Sequence, residues 1–448
     1  MLREADTLMK TFNFSKNKVL ALLLSFLCIA NTFLLPVGCT EESKFSLPTV
    51  SGASSVYLYH YESDQVLLKR SGLAQIAPAS TVKIMTGLLA IEQLGHRLDE
   101  SITVTEEMLL GVEGFKIHLE PKMVVSIRDL LYGVICAGGN DAAQVLAIAC
   151  SGSVDNFVRD MNEKAISLGC TSTRYTNPTG MDDPQMTTSL DDVIRLSTEA
   201  QKNDLFLSFS SCNQYSIFAN QKTLTLYNRN ALISSFSGMG YQNRYVKGLN
   251  AGMTDRGGHC AVAFAEHDGN SYLCIVMGAT ERNGTACSYQ IVNTLLNYVM
   301  DVYSYQQIAT KDTVICRASV QYALPDSGKN LAEIPCVLSQ DLYGFLPKNL
   351  DREALIFQPF FHRDAISAPI DKGTVVGGVD VYYNDQYVTS AKLLAYETKE
   401  PNPTLLALAK MKHMISSRTS IITAVCAIVL STFYFLLFEK KVKKQSRS

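Results

Sequence analysis

Residues 77–86 read APASTVKIMT. Ser80 and Lys83 stand three apart there, at the head of a run whose apolar residues Ile84, Met85, Leu88, Leu89 and Ile91 fall on one helical stripe. Two readings are open. Ser80 is the N-cap of an ordinary helix with Lys83 in solvent, or Ser80 is a nucleophile with its base one turn away. A serine hydroxyl attacks only when something takes its proton, and a lysine can do so once burial or nearby cations lower its pKa. The spacing does not choose, since the same Ser-x-x-Lys pattern recurs at Ser15–Lys18 in a segment that cannot hold a catalytic site.

That segment belongs to a leader. Val19–Val37, VLALLLSFLCIANTFLLPV, is almost wholly apolar, with Lys10, Lys16 and Lys18 before it and Glu41 and Glu42 after it. A basic region followed by an apolar core predicts a secretory signal over residues 1–39, with Val37 and Cys39 small enough for the cleavage positions. PVGC also resembles a lipobox with a poor first residue, Pro36, which makes lipidation of Cys39 the alternative. At the other end, IITAVCAIVLSTFYFLLF (Ile421–Phe438) carries no charge and is long enough to cross most of a ~30 Å hydrocarbon core as a helix. EKKVKKQSRS follows it, and basic residues stay cytoplasmic. The expectation is a transmembrane helix at 420–438, a cytoplasmic tail at 439–448, and a folded region outside the cell membrane.

The 448 residues are too many for one core, so two domains are expected. Lys+Arg 40 against Asp+Glu 42 gives no argument for nucleic acid as a partner. The 12 cysteines contain no C-x-x-C pair, which leaves zinc unsupported and buried free thiols preferred. There is no Gly-x-Ser-x-Gly elbow, no H-E-x-x-H and no P-loop, and the seven histidines form no cluster. His118 and His259 read as structural or exposed, and no cofactor or metal is implied.

Between Ser55 and Tyr303 strands and helices mix. SVYLYHY alternates as a strand does, IRDLLYGVICAGGNDAAQVLAIA reads as two helices broken at Gly138–Gly139, and two strands meet at a turn near Asp268–Asn270. SYQIVNTLLNYV closes this domain, set at 45–305, as a helix. Strand patterns then take over, with a hairpin turn at Asn384–Asp385, giving an all-β domain at 311–396. A linker with an amphipathic stretch occupies 397–419.

PASTVKIMTGLLAIE resembles the nucleophile helix of the low-molecular-mass penicillin-binding proteins, the serine-type D-alanyl-D-alanine carboxypeptidases. LDESITVT, IRDLLYGVICAGGNDAA, TNPTGMDDP, VKGLNAGMTDRGG and SAPIDKGTVVGGVDVYYNDQYVTSAKLLA extend the resemblance over nearly the whole chain. It implies an α/β (α+β) penicillin-binding domain, an antiparallel sheet flanked by helices, followed by a small all-β domain and a C-terminal membrane helix. It further implies a peptidoglycan stem peptide as substrate and β-lactams as acylating inhibitors. Ser80 becomes the nucleophile, Lys83 the general base and Asn140 a substrate-positioning group. The backbone N–H groups of Ser80 and Met253 form the oxyanion hole, and Gly252 lets substrate approach the strand.

The other family motifs depart. Where the family has Ser-x-Asn, this chain has Gly138, Gly139 and Asn140, so a proton-relaying hydroxyl is missing. Where it has Lys-Thr-Gly, this chain has Asn250, Ala251 and Gly252, so the groups that hold the substrate carboxylate are changed. Where it often has an Arg before the closing helix, Ser288–Tyr289 stands, with Arg282, Arg256 and Lys247 as candidate substitutes. A charged hydrogen bond is worth roughly 1.5–3 kcal/mol, about 10- to 100-fold in rate, and a positioned proton relay roughly 10²–10⁴-fold. Two functions therefore stay open beside the carboxypeptidase: a cell-wall binding or scaffold protein without turnover, and a serine hydrolase of altered specificity.

Overall fold

The computed structural model describes residues 45–234, 236, 238, 240–282, 285–325, 331–362, 366–416 and 418–445. The expected signal at 1–39 and the lipidation of Cys39 lie outside the described residues. The chain divides into two compact units between Val302 and Tyr303.

In the first unit the elements run β1 (Ser55–His60), β2 (Gln65–Ser71), α1 (Val82–Leu94), β3 (Ser101–Thr103), β4 (Val124–Ser126), α2 (Ile127–Leu131), α3 (Asn140–Ser151), α4 (Val154–Ser167), α5 (Leu190–Gln201) and α6 (Asp204–Ser210). Then come β5 (Gln214–Ala219), β6 (Lys222–Tyr227), β7 (Val246–Thr254), β8 (Gly258–His267), β9 (Asn270–Ala279) and α7 (Cys287–Val302). Five strands pair antiparallel in the order β2-β1-β9-β8-β7, which puts β7 at an edge. The expected turn between β8 and β9 is there, with Asp268 and Gly269 at φ 49° and 72°.

β8 and β9 read as unbroken apolar runs because both of their faces are covered. Val262, Phe264, Leu273, Ile275 and Met277 join a core built with α1, α3, α4 and α5. On the opposite face Ala261, Ala263, Cys274 and Val276 are fully buried, and α7 packs on β8 and β9 with Val292, Leu295, Leu296 and Val299. α1 is buried along almost its whole length, from Val82 to Ile91. A helix buried all round lies in the centre of a domain, so whatever α1 carries is placed by packing on every side.

The second unit is β-rich. A six-stranded sheet runs in the order Leu355–Phe361, Val375–Tyr383, Gln386–Ala395, Ala332–Leu338, Val314–Gln321, Ile366–Ser367, over a core that includes Ile334, Leu338, Val379, Val381 and Leu393. The hairpin turn at Asn384–Asp385 forms as read, both residues at positive φ (49° and 64°) as a two-residue type I′ loop requires. Helices follow at Pro403–Ser416 and Arg418–Gln445. Among the described residues no helix is long and apolar enough to cross a membrane, so the expected span at 420–438 gains no support from the structure.

Candidate active site

Ser80 is not an N-cap. It sits in a 3₁₀ turn, Ala79–Thr81, that leads into α1, and its side chain makes no capping bond. Ala79 takes φ 49°, unusual for a residue with a Cβ, and the Thr81 hydroxyl donates to the Pro78 carbonyl at 2.5 Å. The turn thus lifts Ser80 out of the helix and leaves it half-buried at the end of a rigid rod.

Lys83 lies one turn on and is 2% exposed, so the solvated-lysine reading fails as well. Its Nζ donates to the Thr179 carbonyl at 2.5 Å. Burial first, and the positive charge of Arg229 second, lower its pKa to about 7. No hydrogen bond joins Lys83 to Ser80 among the described residues; such bonds often tighten only when substrate is in place. The carbonyl that holds Lys83 belongs to the TNPTG segment. Asn177 Oδ1 accepts from the N–H of Thr179 (3.1 Å), the Thr179 hydroxyl (2.9 Å) and the N–H of Gly180 (2.8 Å). Gly180 has φ 79°, and a Cβ on it would come 2.2 Å from the Ala79 carbonyl oxygen. Only glycine lets this loop close against the Ser80 turn.

β7 passes over the nucleophile. A Cβ on Gly252 would lie 2.3 Å from Ser80 Cβ and 2.5 Å from Ser80 Oγ. Asn250, two residues earlier and therefore on the same face of the strand, is 6% exposed, and among the described residues its Oδ1 has no hydrogen-bond partner. Met253, on the other face, is 53% exposed.

The third wall comes from the break the sequence showed. A π-helical turn, Tyr132–Cys136, continues α2 and ends at Gly138 (φ 72°) and Gly139; π-turns often mark functional sites. α3 starts at Asn140, 4% exposed, whose Nδ2 donates to the Glu113 carbonyl at 2.8 Å and whose N–H donates to Phe115 O at 2.8 Å. Asp141 accepts from the N–H groups of Ile117 (2.9 Å) and Leu119 (3.0 Å). Together they fasten segment 113–119 along the cleft.

Arg229 completes the site, and the sequence reading missed it. Its backbone N–H donates to Cys136 O at 3.1 Å. Its Cδ lies 3.5 Å from where a Cβ on Gly138 would stand, and its guanidinium sits 4.0 Å from the Phe115 ring centroid. The Tyr289 hydroxyl donates to its carbonyl at 3.5 Å. It stands between Asn228 and Asn230, both buried and both closing local turns. That NRN triplet after a strand was the available signal; its two Asn are buried while Arg229 itself is exposed. The cations that the sequence offered instead stand elsewhere. Arg256 bonds the Asp183 carbonyl, Lys247 is exposed, and the side chain of Arg282 lies outside the described residues. His259 pairs with Glu281 at 3.7 Å, and His118 is exposed. Among the described residues no cluster of His, Cys, Asp or Glu could hold a metal ion.

Comparison with known proteins finds relatives of both units. A family model described as D-alanyl-D-alanine carboxypeptidase matches residues 42–281, and one described as the C-terminal domain of penicillin-binding protein 5 matches residues 303–400. The chain is 26% identical over 373 residues to the D-alanyl-D-alanine carboxypeptidase DacF of Bacillus subtilis, covering 82% of this chain and 90% of that protein. It is 27% identical over 398 residues to DacC of Escherichia coli, covering 84% and 92%. Among solved structures, penicillin binding protein 5 of Haemophilus influenzae superposes with a TM-score of 0.57 at 24% identity, over 80% of this chain and 100% of that one. Penicillin binding protein 6B of Escherichia coli does so with 0.58 at 24%, over 79% and 99%. The shared fold is the mixed α/β domain followed by the all-β domain.

Proposed function

The chain belongs to the serine-type D-alanyl-D-alanine carboxypeptidase family, and from that premise we propose that it trims peptidoglycan stem peptides through an acyl-enzyme on Ser80. The observation that carries this reading is the fixed corner in which Ser80 meets the Gly252 backbone while Lys83 is buried one turn away with a pKa near 7. A lysine of that pKa is partly neutral at neutral pH and can accept the Ser80 proton. Ser80 Oγ then bonds to the carbonyl carbon of the penultimate D-alanine. The backbone N–H groups of Ser80 and Met253 receive the developing oxyanion, while Asn140 lines the cleft beside the peptide. As the C–N bond breaks, the proton passes from Lys83 to the leaving amine, without a hydroxyl at position 138 to share the transfer. Water then hydrolyses the ester. The membrane-anchored form follows from the apolar Ile421–Phe438 and the basic tail behind it; membrane fractionation of the full chain beside one ending at Asn402 tests it, and equal solubility of the two removes the anchor.

Intact mass of the full chain after incubation with a penicillin, beside a Ser80→Ala control, tests the catalytic reading. A stable adduct on the unaltered chain alone is expected. No adduct at high penicillin favours the second reading, a cell-wall binding protein without turnover. That reading draws on the missing hydroxyl at Gly138 and the unpartnered amide oxygen of Asn250.

A further inference from the structure

Twelve cysteines in a sequence do not name their partners, but strand register does so for two of them in the second unit. Strands Val314–Gln321 and Ala332–Leu338 run antiparallel, with Cys316 opposite Cys336, Ala318 opposite Ile334 and Val320 opposite Ala332. Side chains two apart share a face of a strand, and this face is the inner one. Ala318, Val320, Ala332, Ile334 and Cys336 belong to the core of the unit, and Cys316 packs against it. Cys316 and Cys336 are both free thiols. Residues directly opposite in an antiparallel pair have Cα atoms about 4.5 or 5.5 Å apart, and a disulfide spans about 4.4–6.8 Å. Bridging the pair therefore asks for no backbone movement. The two thiols already interact. Burial raises the pKa of both, and a hydrogen bond between the two side chains acts against burial on Cys316 and with it on Cys336, which is pushed up to about 12. Cys336 is fully buried, whereas Cys316 is partly exposed.

We propose that Cys316 and Cys336 are a disulfide site, oxidised by exchange with an external disulfide, and that the bond fastens the strand Val314–Gln321 to its sheet. Among the described residues that strand has one long partner, Ala332–Leu338, and on its other side only the two-residue strand Ile366–Ser367. Cys316, the more exposed and more acidic thiol, supplies the thiolate that attacks one sulfur of the external disulfide and expels the other half as a thiol. Cys336 then loses its proton and attacks the Cys316 sulfur of the mixed disulfide, expelling the second half. Two cysteine thiols are oxidised to one S–S bond, the external disulfide is reduced to two thiols, and the two cysteine protons end on the leaving sulfurs. Such a bond persists in an oxidising compartment, which the membrane-anchored reading supplies outside the cell.

The test uses the full chain in detergent. It is exposed to oxidised glutathione, its remaining thiols are blocked with N-ethylmaleimide, and it is digested with trypsin. Trypsin cuts after Arg317 and Lys329, so Cys316 and Cys336 leave on separate peptides unless they are bonded. The expected result is one linked pair, lighter than its two peptides by two hydrogens and separated by a reductant. The linked chain should also show a higher thermal midpoint for its second unit than the reduced chain, read by calorimetry. In Cys316→Ala the midpoint should be the same with and without reductant. Blocked thiols on both residues after prolonged oxidation, glutathione left on Cys316, or a link from either residue to another cysteine overturns the proposal. A linked pair with no rise in midpoint overturns the fastening role. None of these outcomes bears on the penicillin adduct at Ser80, so the carboxypeptidase reading is judged apart from it.

Discussion

The two halves of the cleft are built on different plans. The acylating corner is crowded: Gly252 and Gly180 leave no room for a Cβ against the Ser80 turn, and Lys83 is locked to Thr179. The recognition wall is open. Gly138 carries no side chain, the Asn250 amide oxygen has no partner among the described residues, and Arg229, exposed, lies on the Phe115 ring. Packing protects the first half, because any change there moves backbone. Function alone protects the second, because side chains on an edge strand and in turns can change without disturbing the core. The departures from the family's motifs fall in the second half, where the fold tolerates them.

That contrast can be broken by experiment. The largest effect is expected at Lys83. Lys83→Met should lower the rate of penicillin adduct formation about 10²- to 10⁴-fold, the worth of a positioned base; a drop below tenfold, timed by mass spectrometry, would mean that the crowded corner is not the chemical half. A smaller effect of opposite sign is expected at the wall. Gly138→Ser with Asn250→Lys, restoring the family's groups, should raise kcat/KM for a D-Ala-D-Ala peptide by about 10- to 100-fold. The Cβ added at Gly138 finds Arg229 Cδ at 3.5 Å, an ordinary contact, although Gly138 sits at φ 72°, where a side chain is strained. An unchanged kcat/KM in a folded variant would mean that the wall was never limiting.

The smallest effect links the halves. Lys83 must be neutral to act as base, so kcat/KM should rise with pH through about 7 and level off above it. Removing the Arg229 charge takes away one cause that lowers the Lys83 pKa, so Arg229→Gln should move that limb to higher pH. A limb that does not move would uncouple the two halves. The same shift has a sign in stability. Between about 7 and 10.5 the unfolded lysine is protonated while the folded one is not, so the burial penalty is full below about 7 and fades as pH rises toward 10.5.

Much of this was legible in the chain. The helical stripe from Ile84 to Ile91, the break at Gly138–Gly139 and the turn at Asn384–Asp385 follow from local backbone rules, and each formed where it was read. Ser80 as an N-cap failed because a 3₁₀ turn, Ala79–Thr81, precedes α1 and takes Ser80 into its middle. Arg229 was passed over because nothing within a few residues of it tells that an exposed turn arginine lies on an aromatic ring more than a hundred positions away.

By itself, then, the sequence determined which local elements form and which residue types stand at Ser80, Lys83, Asn140 and Gly252, since periodicity and glycine placement act over a few residues. The tertiary structure alone decided that Lys83 is dry, that the Thr179 carbonyl holds it, and that Arg229 faces the gap beside Gly138. Desolvation and charge proximity depend on distances between segments far apart in the chain, and only packing sets those.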